Sequence, residues 1–288
     1  MIVVLGGSGY VGSAFCDALR DRDARWISLS RSQVSYYDRS ELSAFLKDSK
    51  ASFVINAAGF VGTPNVDECE IRRAECLEGN AVLPGVISEV CQDLEIPWGH
   101  ISSGCIYDGP STEKGFTEED PPNFCFTERP CSFYSGTKAL GEEIIARDPS
   151  CYVWRLRIPF DRFDSHRNYL TKLQRYERLL DVRNSLSHRG DFVAACLYAW
   201  ENRVPFGVYN MTNSGSVTTR EVTAELEKRG LGKKSFSFFS SIEEFYETAA
   251  VAPRSNCVLD NSKALAVGIP LRPVGDALAE SLNSWSAL

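Results

Sequence analysis

Tyr134 and Lys138 stand four positions apart in the run Ser132-Phe133-Tyr134-Ser135-Gly136-Thr137-Lys138. On a helix such a pair shares one face. An ammonium there is expected to lower the phenol's pKa from its free value of about 10. A phenol tuned in this way moves protons to and from a carbonyl oxygen near neutral pH. Upstream, the apolar run ending at Ile101 leads into Ser102-Ser103-Gly104-Cys105. It brings a hydroxyl pair and a thiol into the same stretch. Read alone, Cys105 is as well explained as a small buried hydrophobe, and Ser102 as a neutral neighbour of Ser103.

Such a site needs a hydride carrier and walls. Ile2 to Leu5 is a short apolar run, as expected of a parallel strand buried on both faces. It runs into Gly6-Gly7-Ser8-Gly9-Tyr10-Val11-Gly12, with Gly6, Gly9 and Gly12 spaced G-x-x-G-x-x-G, and a helical segment from Ser13 to Arg20. Strand, glycine turn and helix together predict a dinucleotide site, with pyrophosphate at the helix N-terminus. The next strand, Trp26 to Leu29, ends in Ser30-Arg31-Ser32. An acidic residue there would bind the ribose hydroxyls of NADH; Arg31 instead suits a 2'-phosphate. NADPH is therefore expected, with NADH as the alternative. A third strand, Phe53 to Ile55, opens Asn56-Ala57-Ala58-Gly59, whose small side chains let the chain pass close beneath the adenine end of a dinucleotide.

Farther on, Asp38-Arg39-Ser40-Glu41 reads as a capping box, and Asp67 to Cys76 and Asn80 to Leu94 as helices. Asp108 to Arg129 reads as a long acidic loop, and Tyr134 to Ala146 as a strong helix. Arg167 to Leu180 is basic, aromatic and helical by pattern. Alternating strands and helices predict an α/β fold, a doubly wound parallel sheet of Rossmann type with a smaller C-terminal lobe. The expected division is 1–158 with 185–215 for the dinucleotide domain, and 159–184 with 216–288 for the lobe.

The 288 residues carry a net charge of -7, with 43% hydrophobic and 24% charged residues. That balance argues against nucleic acid or an anionic membrane as partner. The apolar start is too short for a signal peptide and no run is long enough to span a bilayer, so a cytosolic protein is expected. Ten cysteines include no C-x-x-C pair, and the three histidines are scattered, so no metal site is expected.

The N-terminal glycine pattern, Asn56-Ala57-Ala58-Gly59, Ser103 after a strand and Tyr134-x-x-x-Lys138 together resemble the extended short-chain dehydrogenase/reductases. A narrower likeness is carried by Pro64-Asn65-Val66-Asp67-x-Cys69-Glu70, Gly104-Cys105-Ile106, Arg167-Asn168-x-x-Thr171-Lys172 and Ala252-Pro253-Arg254-Ser255-Asn256. These are similar to the plant-type nucleotide-rhamnose epimerase-reductases, with dTDP-4-dehydrorhamnose reductases as more distant relatives. The resemblance implies NADPH-dependent 3,5-epimerisation and 4-reduction of a UDP- or dTDP-linked 4-keto-6-deoxy-glucose. It implies Ser103 and Tyr134 on the keto oxygen, and Lys138 on the phenol and the nicotinamide ribose. Cys105 and Lys172 would be the epimerising acid/base pair, and Asn65, Asn168 and Arg254 substrate contacts. A 4,6-dehydratase is the implied upstream partner, and a homodimer is a state the family allows. The competing expectations are reduction alone, on a ketone already epimerised, and a non-catalytic NADP-binding regulatory protein. One departure from the wider family is Arg157-Ile158-Pro159-Phe160-Asp161, where many members carry R-x-x-N-x-Y-G-P.

Overall fold

The computed structural model describes residues 1–109, 114–128, 130–232 and 235–286. Pro110 and Arg129, read above as part of the acidic loop, lie outside the described residues. The principal elements are β1 (Ile2–Leu5), α1 (Tyr10–Asp21), β2 (Trp26–Leu29), α2 (Arg39–Asp48), β3 (Phe53–Asn56), α3 (Leu83–Asp93), β4 (Trp98–Ser103), α4 (Phe133–Ile145), β5 (Cys151–Leu156), α5 (Tyr169–Arg175), α6 (Arg189–Glu201), β6 (Gly207–Asn210), α7 (Thr219–Lys228), α8 (Ile242–Thr248) and α9 (Val274–Asn283). The six strands form one parallel sheet in the order β2-β1-β3-β4-β5-β6. The strand order reverses between β1 and β3, where open α/β sheets bind ligands at the carboxyl ends of their strands.

The strands are mostly apolar because both faces are covered, and their polar residues, such as Asn56, His100, Ser102 and Arg155, are buried and hydrogen-bonded. On one face Phe15 of α1 and Phe192, Cys196 and Leu197 of α6 pack on Val4, Phe53 and Trp154. On the other, Leu42 and Leu46 of α2 and Leu83, Ile87 and Val90 of α3 pack on Val3, Leu5 and Val54. A separate cluster built from Phe160, Leu170, Leu173, Leu226, Leu278 and Leu282 holds the lobe. Ala264, Ile269 and Leu271 pack with the sheet's core rather than with that cluster, although the sequence-based division places them in the lobe.

Local chemistry explains where the elements begin and end. The Asp38 carboxylate accepts from the backbone N–H groups of Ser40 and Glu41, so it caps α2 as expected. The reciprocal half of the box is absent, because Glu41 accepts from Ser35 N at 2.9 Å. The stretch read as one helix from Asp67 to Cys76 breaks at Arg72 (φ -95°, ψ 59°), and a π-helical turn at Glu78–Val82 precedes α3. Helix α1 starts at Tyr10 rather than Ser13, so the end of the glycine turn is already helical. The helix expected over Arg167 to Leu180 shrinks to α5, capped by Asn168. The acidic loop is tied to the lobe: Phe116 N donates to Val258 O and Asp260 N to Phe116 O, both at 2.8 Å.

One buried ion pair joins α4 to the sheet. Arg155 of β5 and Glu142 of α4 meet at 2.7 Å with their side chains 5% and 9% exposed. Ser102 donates to the same carboxylate through a very short hydrogen bond, and Arg155 donates to Tyr107 Oη at 3.0 Å. Removing one partner leaves an uncompensated buried charge. Glu142→Gln is therefore expected to destabilise the protein by about 3–5 kcal/mol in urea titration. A loss under about 1 kcal/mol would mean that the pair is solvated.

Candidate active site

The carboxyl ends of β1, β3, β4 and β5 open onto a cavity of about 1100 Å³, bounded on the far side by α5, α8 and the segment around Arg254. Ser103, the last residue of β4, lines it, as do Tyr134 and Lys138 one turn apart on α4. Ser132 sets the start of α4 by accepting from Ser135 N at 3.0 Å. The three residues expected to act on a carbonyl therefore share one wall.

The electrostatics differ from the expectation in one respect. Desolvation, with the nearby Cys105 and Cys69 thiols, pushes the Tyr134 phenol well above its ordinary value. The opposing pull comes from the neighbouring Ser103 hydroxyl, and Lys138 supplies no comparable one. The Lys138 ammonium turns back into the protein, donating to Ile101 O at 2.9 Å. Sharing a helical face fixes direction, while the terminal nitrogen of a long side chain goes where an acceptor lies. A phenol held neutral is the form that gives a proton to a carbonyl oxygen during reduction.

Cys105 is buried, 6% exposed, in an apolar cluster with Ile106, Tyr107, Phe116, Cys257 and Leu259, directly behind Ser103. Burial pushes its thiol up; Ser103, Arg157, Ser135 and Lys138 pull it back. It does not line the cavity, whereas Lys172 does, from the opposite, lobe side. Burial and the neighbouring Arg167 and Arg254 hold the Lys172 ammonium below its ordinary value.

The expected substrate contacts divide. Asn65 and Arg254 line the cavity. Both Arg254 terminal nitrogens pair with Asp67 at 2.7 Å. Asn168 does not face the cavity: it is fully buried, caps α5, and donates to Asp161 O and Phe163 O, each at 2.8 Å. Its amide serves the helix cap, and capping draws on the same amide chemistry as ligand binding.

The cofactor residues divide similarly. Gly9, Tyr10, Val11, Ala57, Ala58 and Gly59 line the cavity. Gly6 and Gly12 shape the turn beneath it: Gly6 has φ +74°, and a Cβ on Gly12 would lie 2.1 Å from Gly6 O. Asn56 is fully buried below the surface, accepting from Ala58 N at 3.1 Å. Ser30 and Arg31 sit exposed at the end of β2, outside the cavity lining, with Arg31 beside Tyr37. The cradle fits a dinucleotide: α1 begins at an exposed Gly9 with no side-chain cap, so its first N–H groups remain available to an anion. Gly12→Ala is expected to weaken NADPH binding at least about tenfold in a fluorescence titration. An unchanged Kd would contradict the cradle.

Among the residues not singled out from the sequence are two that line the cavity, Asn80 and Arg157, and one buried behind its wall, His100. His100 is fully buried between Asn56 and Lys138. Asn80, on the π-helical turn, pins the loop after β3 by accepting from Phe60 N at 2.9 Å and donating to Phe60 O at 2.8 Å. Arg157 lines the cavity and donates to Asn184 Oδ1 at 2.7 Å. A π turn near a cavity is a recurring functional signal, but its sequence reads as plain helix. Among the described residues no group of three His, Cys, Asp or Glu is placed to hold a metal ion. No described helix is long and apolar enough to cross a membrane.

Comparison with known proteins agrees with this geometry. A bifunctional dTDP-4-dehydrorhamnose 3,5-epimerase/dTDP-4-dehydrorhamnose reductase of Arabidopsis thaliana is 30% identical over 267 residues, 91% of this chain and 85% of that protein. A trifunctional UDP-glucose 4,6-dehydratase/UDP-4-keto-6-deoxy-D-glucose 3,5-epimerase/UDP-4-keto-L-rhamnose-reductase of the same plant is 32% identical over 232 residues. That match covers 78% of this chain and 34% of the longer protein, so it concerns one part of it. The crystal structure of a UDP-rhamnose synthase from Acanthamoeba polyphaga mimivirus superposes with a TM-score of 0.89 at 22% identity, covering 98% of each chain. A Bacillus anthracis dTDP-4-dehydrorhamnose reductase in complex with NADP shares the fold at a TM-score of 0.81 and 17% identity, covering 99% of this chain and 97% of that one. The family described as the RmlD substrate binding domain matches residues 1–286, and the chain belongs to that family.

Proposed function

We propose that the protein is an NADPH-dependent 3,5-epimerase/4-reductase that converts a UDP- or dTDP-linked 4-keto-6-deoxy-glucose to the nucleotide L-rhamnose. One observation carries the reading: Ser103, Tyr134 and Lys138 share a wall with the glycine cradle, and Lys172 faces the same cavity from the lobe. The names of the bifunctional and trifunctional plant relatives support both activities.

When bound, NADPH supplies the hydride that reaches C4. Gly9, Tyr10, Val11, Ala57, Ala58 and Gly59 would hold it, with Lys138 near its nicotinamide end. Ser103 and Tyr134 hydrogen-bond the keto oxygen and stabilise the negative charge that builds there when a proton leaves C3 or C5. Epimerisation needs a base on one face and an acid on the other. Lys172, with its ammonium destabilised by burial and two arginines, is suited to exchange a proton. Cys105 is the partner behind Ser103. Tyr134 gives its proton to the C4 oxygen at reduction. Asn65 and Arg254 serve the nucleotide sugar.

Reduction alone is the second reading, and the burial of the Cys105 thiol favours it. A non-catalytic role is disfavoured because the acid/base set is complete. A 4,6-dehydratase activity must supply the keto sugar. Ten cysteines present as thiols rather than disulfides suit a reducing compartment and support a cytosolic location. The test is NADPH oxidation on adding a nucleotide 4-keto-6-deoxy-glucose: loss of NADPH absorbance is expected. Silence with both the UDP and dTDP sugars would refute the reading.

A further inference from the structure

Behind Lys138 lie two polar groups, His100 and Asn56, that the reaction described above does not use. His100 of β4 is fully buried, with Nδ1 3.0 Å from Asn56 Nδ2 and Nε2 3.5 Å from Lys138 Nζ. Its protonation follows from its partners. Asn56 Oδ1 accepts from the backbone N–H of Ala58 at 3.1 Å. A backbone N–H can only donate, so this contact fixes the amide and turns its NH2 toward the imidazole. That NH2 also only donates, so His100 Nδ1 is the acceptor. Flipping the amide would set two donors against each other at Ala58. Burial beside an ammonium holds His100 well below its ordinary value, so the ring is neutral. A neutral ring with an accepting Nδ1 carries its proton on Nε2.

The Nε2–H therefore points at Lys138 Nζ. Against an ammonium it sets donor against donor; against a neutral amine it meets a lone pair. We propose that His100, locked by Asn56 and Ala58 as its Nε2–H tautomer, is a positioning residue that favours the neutral amine of Lys138. Lys138 then exchanges a proton in the working range instead of standing as a fixed cation. Burial acts in the same direction and brings Lys138 down to about 8. The opposing groups are Cys105 from the turn after β4, Cys76 from the helix Arg73–Leu77, and Glu142 one turn along α4. Glu142 is itself paired with Arg155. The proposal concerns this chain alone; only its consequence for turnover rests on the reductase reading.

The test is NMR on the protein without substrate, so it stands or falls separately from the assay. Only three histidines are present, and His100→Gln identifies the His100 imidazole signals by their loss. The expected ¹⁵N pattern has Nδ1 unprotonated and Nε2 protonated, unchanged through the neutral range. With [ε-¹³C]lysine, the midpoint of Lys138 is expected to rise by about one pH unit in two variants, a tenfold change in protonation ratio. In Asn56→Asp the carboxylate accepts from Nδ1–H and turns Nε2 into an acceptor. In His100→Gln the carbonyl can turn to the ammonium. A merely structural His100 would alter stability and leave the midpoint in place. An Nδ1–H ring in the wild-type protein would overturn the proposal even if both variants failed to fold, as would an unmoved midpoint in folded variants.

Discussion

Tyr134→Phe is expected to cut reduction of the nucleotide 4-keto sugar by about 10²–10⁴-fold, the usual contribution of a positioned general acid. The phenyl ring keeps its place against the Cys105, Tyr107, Phe116 and Leu259 cluster, so the fold should survive. What is lost is the hydroxyl that stands beside Ser103 at the cavity wall. NADPH affinity should change little, because the glycine cradle and α1 are untouched. Steady-state kinetics with a parallel cofactor titration would check this. A variant within about tenfold of the parent kcat would show that another group delivers the proton. The raised phenol pKa adds a sign. Reduction needs the protonated phenol, so any alkaline loss of rate should lie above the ordinary tyrosine range. A Tyr134 acidified by Lys138 would instead lose its proton near neutrality.

Cys105→Ala is expected to separate the two activities. Exchange at C3 and C5 should fall by about 10²–10⁴-fold, while reduction of a supplied 4-keto-L-sugar stays within a few-fold of wild type. The thiol sits behind Ser103 and its pKa is raised by burial, so its thiolate fraction grows as pH rises. Exchange that uses the thiolate as base should therefore accelerate toward alkaline pH. Deuterium appearing normally at both carbons in the alanine variant would remove Cys105 from the mechanism and leave a reductase. The substitution removes a small buried group, which typically costs about 1 kcal/mol, so the folded variant should be obtainable.

The strand, glycine turn and helix were legible because each residue type has a local reason to be there. Gly6 takes a positive φ and Gly12 has no room for a Cβ. Ser103, Tyr134 and Lys138 were legible as a set because a strand end and a helical face place them in one cavity. Long-range partners were not. Nothing in β4 announces that His100 will meet Asn56 on one side and Lys138 on the other. Nor could the i,i+4 spacing tell that the Lys138 ammonium would bond Ile101 O. Asn168 shows a chemical ambiguity, since an amide that could bind a sugar hydroxyl serves equally well as a helix cap. The break at Arg72 arises among good helix formers, whereas the π turn after it contains Gly79 and Asn80, weak helix formers, and both pack against α4.

The most direct measurement is the wild-type reaction in deuterium oxide with NADPH and a nucleotide 4-keto-6-deoxy-glucose. The expected product is a nucleotide L-rhamnose carrying deuterium at both C3 and C5, with NADPH consumed in step with it. Consumption of NADPH giving a product unlabelled at either carbon would contradict this expectation.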